Sequence, residues 1–264
     1  MTTPALSVQL YTLRERIAED LSGTLRELAA IGFTEVEPHR FHQDVPGMRR
    51  ALDDAGLVAP SAHARILQPA DDGSDPRVTA IGPEARDILA AAAELGITTV
   101  VQPAVAREVW QSAAGVAALA EQLNTAAVLA GTYGVQVAYH NHAFEFEESV
   151  WHTDPERSAL EVLAADLAPD VVLEVDTYWA AVGGVDPVAL LRRLGTRAAL
   201  LHVKDGPVTA VTADQLPVGE GAMPVAEILA AAPHARPVVE LDAYVGDPLD
   251  AVRRSFHHLA GVHS

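Results

Sequence analysis

The feature of this chain that most constrains its fold is a phrase that keeps returning: a helix-like stretch, a glycine, then a short apolar run. It appears as AIGF at Gly32, DAGL at Gly56, ELGI at Gly96, YGV at Gly134 and RLGT at Gly195. A glycine in that place suits a left-handed helix C-cap with a strand to follow. The short β-rich runs are LSVQL (6–10), TEVEP (34–38), VAPSAH (58–63), TTVVQ (98–102), VQVAYH (135–140), DVVLEVD (170–176), ALLHVK (199–204) and PVVELD (237–242). Several are almost continuously apolar, the pattern of parallel strands covered on both faces. Between them apolar residues return every three or four positions, as with Leu25, Leu28 and Ala29 ahead of Gly32. Asp186 is placed to cap a helix, Pro187 to occupy its first position and Gly195 to stop it.

Eight strand–helix units, spaced roughly 25 to 40 residues apart in a chain of 264, predict an α/β protein with the (β/α)8 TIM-barrel architecture, one domain over residues 1–264. The rival, an open doubly wound sheet, would ordinarily carry a glycine-rich phosphate loop after its first strand, and VQLYTLRER has none. No linker, low-complexity tract or charge block divides the chain. The segment 66–82, ILQPADDGSDPRVTAIG, is long and polar, which suits a lid over a site.

Composition narrows the partners. Hydrophobic residues make up 49% of the chain and aromatics 5%, so the core is built largely from Ala, Val and Leu. Lys and Arg number 18 against 36 Asp and Glu, a formal charge of −18. Such a surface repels phosphate backbones and anionic membranes, so neither nucleic acid nor membrane is expected as a partner. The absence of cysteine removes disulfides, thiolate nucleophiles and Cys-type zinc sites. The start, MTTPALSVQLYTLRER, lacks the basic and apolar regions of a secretory signal. The most apolar stretch, AAGVAALAEQLNTAAVLAG, is interrupted by polar residues and is not expected to span a membrane. A cytoplasmic protein is expected.

In a barrel the functional residues stand at the C-terminal ends of the strands, which converge on one mouth. Taken in order those ends supply Gln9 and Tyr11, Glu37 and His39, His63, Gln102, His140 and His142, Glu174 and Asp176, His202 and Lys204, Glu240 and Asp242. A polar residue where one strand leaves the core needs no function. Eight strand ends in a row, rich in histidine and carboxylate, call for one. LEVD is the sharpest case: Glu174 and Asp176 lie two apart and share one face of their strand. Two carboxylates in a low-dielectric interior repel unless a cation sits between them or one stays protonated. LLHVKD adds His202 and VVELD adds Glu240. Singly each fits a salt-bridged core residue. Together they fit a divalent-metal site, oxygen-rich with one imidazole, suited to Mn2+ or Mg2+ ahead of Zn2+, Co2+ or Fe2+.

With VQLYTLR at the first strand, YHNHAFEF at the fifth, LEVDTYW at the sixth, LLHVKDG and VGEG at and after the seventh, and VVELD at the eighth, the chain resembles the sugar phosphate isomerase/epimerase family, the xylose isomerase-like TIM barrels, over essentially its whole length. The resemblance implies a divalent metal held by Glu145, Asp176, His202 and Glu240, with Glu145 and Glu240 as paired acid–base carboxylates. The epimerase branch has a glutamate at the end of the fifth strand, where this chain has YHNH. Glu145 restores a carboxylate a few residues later; His142 could ligate instead, either His140 or His142 could act as the base, and His142 is left as base or substrate contact, ligand or packing. Glu37, His63, His140, Trp179 and Lys204 are expected to face the substrate.

The implied activity is isomerisation or epimerisation of a ketosugar or sugar phosphate through a metal-stabilised enediolate, with Glu145, Glu240 and His142 as the catalytic groups. A leaving group one carbon further on would turn the same chemistry into a lyase or dehydratase reaction on a ketosugar, keto-glycoside or inosose. Two other classes compete. A metal-dependent phosphodiesterase, like the related endonucleases acting at abasic DNA, conflicts with the charge of −18. A non-catalytic sugar-binding subunit conflicts with the intact set of Asp176, His202 and Glu240. The expected partner is a small sugar or cyclitol, and homo-oligomers are compatible with the sequence.

Overall fold

The computed structural model describes residues 5–69, 79–147 and 157–262. Its strands are β1 (Ser7–Val8), β2 (Ser61–His63), β3 (Leu67–Pro69), β4 (Thr79–Ile81), β5 (Thr99–Gln102), β6 (Gln136–His140), β7 (Val171–Asp176), β8 (Ala198–Val203) and β9 (Arg236–Val239). Seven of them form one parallel sheet in the order β1-β9-β8-β7-β6-β5-β2. The two edge strands are both tied to the segment 35–39, through parallel bridges Gln9↔Glu37 on one side and Glu35↔Val58 and His39↔His63 on the other. That segment, TEVEP in the sequence, forms isolated bridges and no continuous ladder. Pro38 on the segment and Pro60 on its neighbour lack the N–H groups a ladder needs, although Glu37 N donates to Val8 O (2.8 Å) and His63 N to Pro38 O (2.9 Å).

The helices are α1 (Arg14–Glu19), α2 (Leu21–Ile31), α3 (Val45–Ala55), α4 (Ala85–Leu95), α5 (Ala113–Gly131), α6 (Ala159–Asp166), α7 (Thr177–Val182), α8 (Pro187–Leu194), α9 (Val225–Ala231) and α10 (Pro248–Val262). Their punctuation follows the sequence. Asp186 caps α8 by accepting from Val188 N (2.9 Å), with Pro187 at its first turn and Gly195 at its end. Gly96 closes α4 at φ +76°, in the left-handed region where a side chain would be strained. Helix α5 is the stretch the sequence discounts as a membrane span. It forms one uninterrupted 19-residue helix that is long and apolar enough to cross a membrane by length and composition. Here it behaves as a core helix, burying Val116, Leu119, Ala120, Leu123 and Ala127.

The 66–82 segment, expected to be a loop, contains the antiparallel pair β3–β4 in the register Leu67↔Ile81. Residues 70–78, the centre of the expected lid, lie outside the described residues. Alternation along the parallel strands separates two cores. Val137, Tyr139, Leu173, Val175, Leu201 and Val203 pack into the main cluster with the helices, while Val101, Ala138, Val172 and Leu200 pack together as a separate small cluster on the other face.

Candidate metal centre

The side chains on that second face change character two residues at a time. Beyond the apolar layer of Ala138, Val172 and Leu200 come His140, Glu174 and His202; beyond these, Asp176, Lys204 and Glu240. Strand register puts the groups side by side: His140 is opposite Glu174, and Asp176 opposite His202. None is more than 5% exposed.

His140, Asp176, His202 and Glu240 each offer a donor atom, and the four atoms lie within 4.8 Å of one another. Ligands bound at about 2.0–2.3 Å to one ion stand roughly 3 to 4.5 Å apart, so the spacing fits a single divalent ion. Two observations support the fit. Asp176 Oδ2 and His202 Nδ1 are buried without a hydrogen bond, although each lies close to an opposite charge. The surrounding charge is also unbalanced. Glu37, Glu174, Asp176, Glu240 and Asp242 bring five carboxylates against the Lys204 ammonium and the imidazoles of His63 and His202.

Lys204 already holds part of this charge. Its Nζ stands 2.8 Å from Asp176 Oδ2, 2.9 Å from Glu240 Oε2 and 2.7 Å from Asp242 Oδ2. Those carboxylates overcome burial and raise its pKa well above the ordinary value. For Asp176 burial wins over the Lys204 contact and lifts the carboxyl to about 6. Glu240 moves the opposite way: burial opposes ionisation, but Lys204 and His202 pull its pKa well down. One layer below, burial disfavours charge on His63, yet Glu174 and Glu37 raise it to about 9. The mouth above the quartet opens into a cavity of about 510 Å3, lined by His63, His140, His142, Glu240 and Asp242 together with Tyr11, His39, Arg40 and Arg65.

Residues 25–243 match the description of the xylose isomerase-like TIM barrel family. The chain belongs to that family. Among solved structures, a sugar phosphate isomerase/epimerase from Parabacteroides distasonis is 24% identical with a TM-score of 0.78, covering 98% of this chain and 94% of that one. The probable 3-DHS dehydratase AsbF of petrobactin synthesis, from Bacillus anthracis, is 14% identical with a TM-score of 0.75, covering 97% and 98%. The IolI protein with a bound zinc atom is 14% identical with a TM-score of 0.73, covering 98% of both chains. At these identities the likeness is one of fold. No curated protein matches the sequence.

Within this family frame, the expected site residues separate. Asp176, His202 and Glu240 meet in the quartet, and the fourth member is His140, which the sequence assigned to substrate. Glu145, the expected fourth ligand, is fully buried outside the quartet: its Oε1 accepts from the Tyr139 hydroxyl and its Oε2 from the His142 amide, both at 2.9 Å. His142 lines the cavity with its ring stacked on Phe144, and its Nδ1 has no hydrogen-bond partner. Burial, with Lys204 adding to it, holds His142 at about 4. His63 also lines the cavity. Glu37 lies beneath it, its oxygens accepting from Gln9 (2.8 Å) and from Ser61, and contacting His202 Nε2 (2.9 Å). Trp179 places its ring 5.7 Å from Lys204 Nζ, and its backbone N donates to Asp176 Oδ1 (2.8 Å). Asn141 was not singled out, yet its side-chain amide bonds both Asp176 O (3.1 Å) and Asp176 N (3.0 Å). It locks the end of β6 to the end of β7, and the only sequence sign was an amide between two histidines.

Proposed function

We propose that the protein is a divalent-metal-dependent enzyme acting on a ketosugar, sugar phosphate or keto-cyclitol, an isomerase or epimerase in which His140, Asp176, His202 and Glu240 hold the ion. The observation that carries this reading is the convergence of those four donors at the floor of the cavity. With the 34–39 segment counted as a strand, we take the architecture as a closed (β/α)8 barrel in a single domain. Two imidazoles and two carboxylates suit Mn2+ and move the balance toward Zn2+. Such an ion supplies Lewis-acid stabilisation for a ketone and its neighbouring hydroxyl.

The chain's own residues do the rest. Lys204, fixed by three carboxylates, stays charged. His142 is held neutral at pH 7 and lines the cavity, where its imidazole is placed to take a proton from a substrate carbon. Glu240, itself one of the quartet, lines the same cavity as His142. Glu145 anchors the turn that presents His142, by holding the His142 amide and the Tyr139 hydroxyl together. Elimination is the second reading. It is favoured by an imidazole at the position of proton transfer and by the family's dehydratase neighbour.

A panel of ketosugars, sugar phosphates and keto-cyclitols, incubated with metal-loaded protein in D2O, tests the proposal by NMR. Deuterium is expected to enter at the carbon beside the ketone of at least one compound, slowed by about 10²- to 10⁴-fold in His142→Ala. Loss of a hydroxyl in place of simple exchange selects the dehydratase reading. No exchange with any ketone contradicts both.

A further inference from the structure

One atom below the quartet is approached by three imidazole nitrogens, two of them as hydrogen-bond donors. Glu174 Oε2 lies 2.6 Å from His63 Nε2, 3.0 Å from His140 Nδ1 and 3.1 Å from His202 Nε2. His202 Nε2 also lies 2.9 Å from Glu37 Oε1. An ionised carboxylate oxygen only accepts, so each of these nitrogens carries a hydrogen. In a neutral imidazole, a hydrogen on one nitrogen leaves the lone pair on the other. For His140 that other nitrogen is Nε2, 4.0 Å from Asp176 Oδ2. For His202 it is Nδ1, which faces Glu240 Oε2 at 2.6 Å and carries toward it a second hydrogen that a bound ion would displace. The His140 lone pair is thereby aimed at the quartet, and the His202 lone pair joins it once the ion takes the place of the Nδ1 hydrogen.

We propose that Glu174, assisted by Glu37, is a positioning residue that selects which nitrogen each histidine presents to the metal: Nε2 of His140 and Nδ1 of His202. This rests on the metal-centre reading above. Strand β7 then supplies a ligand, Asp176, and one layer deeper the group that orients the ligands on both neighbouring strands. Without the Glu174 carboxylate either ring could hold the opposite tautomer and bury its lone pair away from the site. Groups that orient a ligating histidine commonly control metal affinity by about 10- to 100-fold. The donor atoms of His63, His140, Glu174 and His202 also lie within 4.8 Å of one another, the spacing of a second cation site. Hydrogen bonds from His63 (2.6 Å) and His140 (3.0 Å) to Glu174 and from His202 to Glu37 (2.9 Å) already account for them.

The test uses protein labelled with 15N in its imidazoles and loaded with zinc, read by long-range 1H–15N correlation NMR, with zinc affinity measured in parallel. Wild type is expected to bind one zinc per chain and to keep hydrogens on His140 Nδ1 and His202 Nε2. Glu174→Gln, which retains an acceptor oxygen, is expected to keep that pattern. Glu174→Leu is expected to lose it and to bind zinc about 10- to 100-fold more weakly. Zinc bound through the opposite nitrogen of either ring, a second zinc in the deeper layer, or unchanged affinity and tautomers in Glu174→Leu overturns the proposal alone. Wild-type protein that takes up no zinc or manganese overturns the metal-centre reading on which it rests. Should Glu174→Leu fail to fold, the wild-type nitrogen assignment decides.

Discussion

The Glu145 carboxyl has both oxygens occupied by protein donors and no exposed surface. Burial pushes its pKa up to about 8, against the hydrogen bond from Tyr139, whereas in the unfolded chain it titrates near its ordinary 4.5. Between those values the folded protein holds a proton that the unfolded chain has released. The stability linked to that proton is complete below about pH 4.5 and is lost as pH rises through about 8. Glu145→Gln is therefore expected to flatten the fall in urea midpoint across that window. Parallel pH profiles for the two proteins would contradict the assignment. The sequence shows a carboxylate three residues after His142 but not where it folds. A reach to the metal and a reach back to the His142 amide are equally short along the chain. The Tyr139 hydroxyl, pointing from the helix-facing side of β6, decides between them. His140 escaped notice as a member of the quartet for a related reason: which nitrogen it turns toward the cluster depends on Glu174, a partner on another strand.

At the scale of elements, the parallel strands and their alternation were legible because the period of two is local, and so were the left-handed caps at Gly56 and Gly96, whereas Gly134 stands beyond α5, which is capped by Thr132. The role of VGEG was not legible. The structure gives it a mechanical one in the loop after β8. The buried Asp205 carboxylate accepts from Gly206 N (2.8 Å), Met223 N (3.0 Å) and Gly219 N (2.9 Å), clamping the loop at three points. Gly221 must lack a side chain, since a Cβ there would lie 2.1 Å from Asp205 Oδ1 and 2.2 Å from Gly206 N. The clamped loop carries Gln215, whose amide holds Asp242 at the mouth through two contacts of 2.7 Å. Asp205→Ala leaves those backbone donors without their acceptor and is expected to cost about 2–4 kcal/mol in urea unfolding. A loss below about 1 kcal/mol would show that the loop is held by other contacts.

At the scale of the whole molecule, the face of the sheet opposite the helices passes from an apolar layer to a layer of carboxylates and imidazoles, where among the described residues Lys204, His63 and His202 are the cations paired with them. Asp176, His202 and Glu240 were readable in advance because convergent strand ends and a two-residue alternation suffice to bring them together. The segment 34–38 was read as an ordinary strand; Pro38 within it was visible, but its ladder is also interrupted by Pro60 on the neighbouring segment, a pairing the sequence does not show. A surplus of buried negative charge is costly, so binding a divalent ion is expected to stabilise the fold. At 100 times its Kd the ion adds about 2.7 kcal/mol, seen as a rise in Tm of chelator-treated protein. The most direct test of the account is calorimetric titration of Zn2+ and Mn2+ into chelator-treated wild type, Asp176→Asn, His140→Ala and Glu145→Gln. One site per chain is expected in wild type and in Glu145→Gln, with binding lost or strongly weakened in Asp176→Asn and His140→Ala. Wild type that binds neither ion, or binding abolished by Glu145→Gln and untouched by His140→Ala, would contradict it.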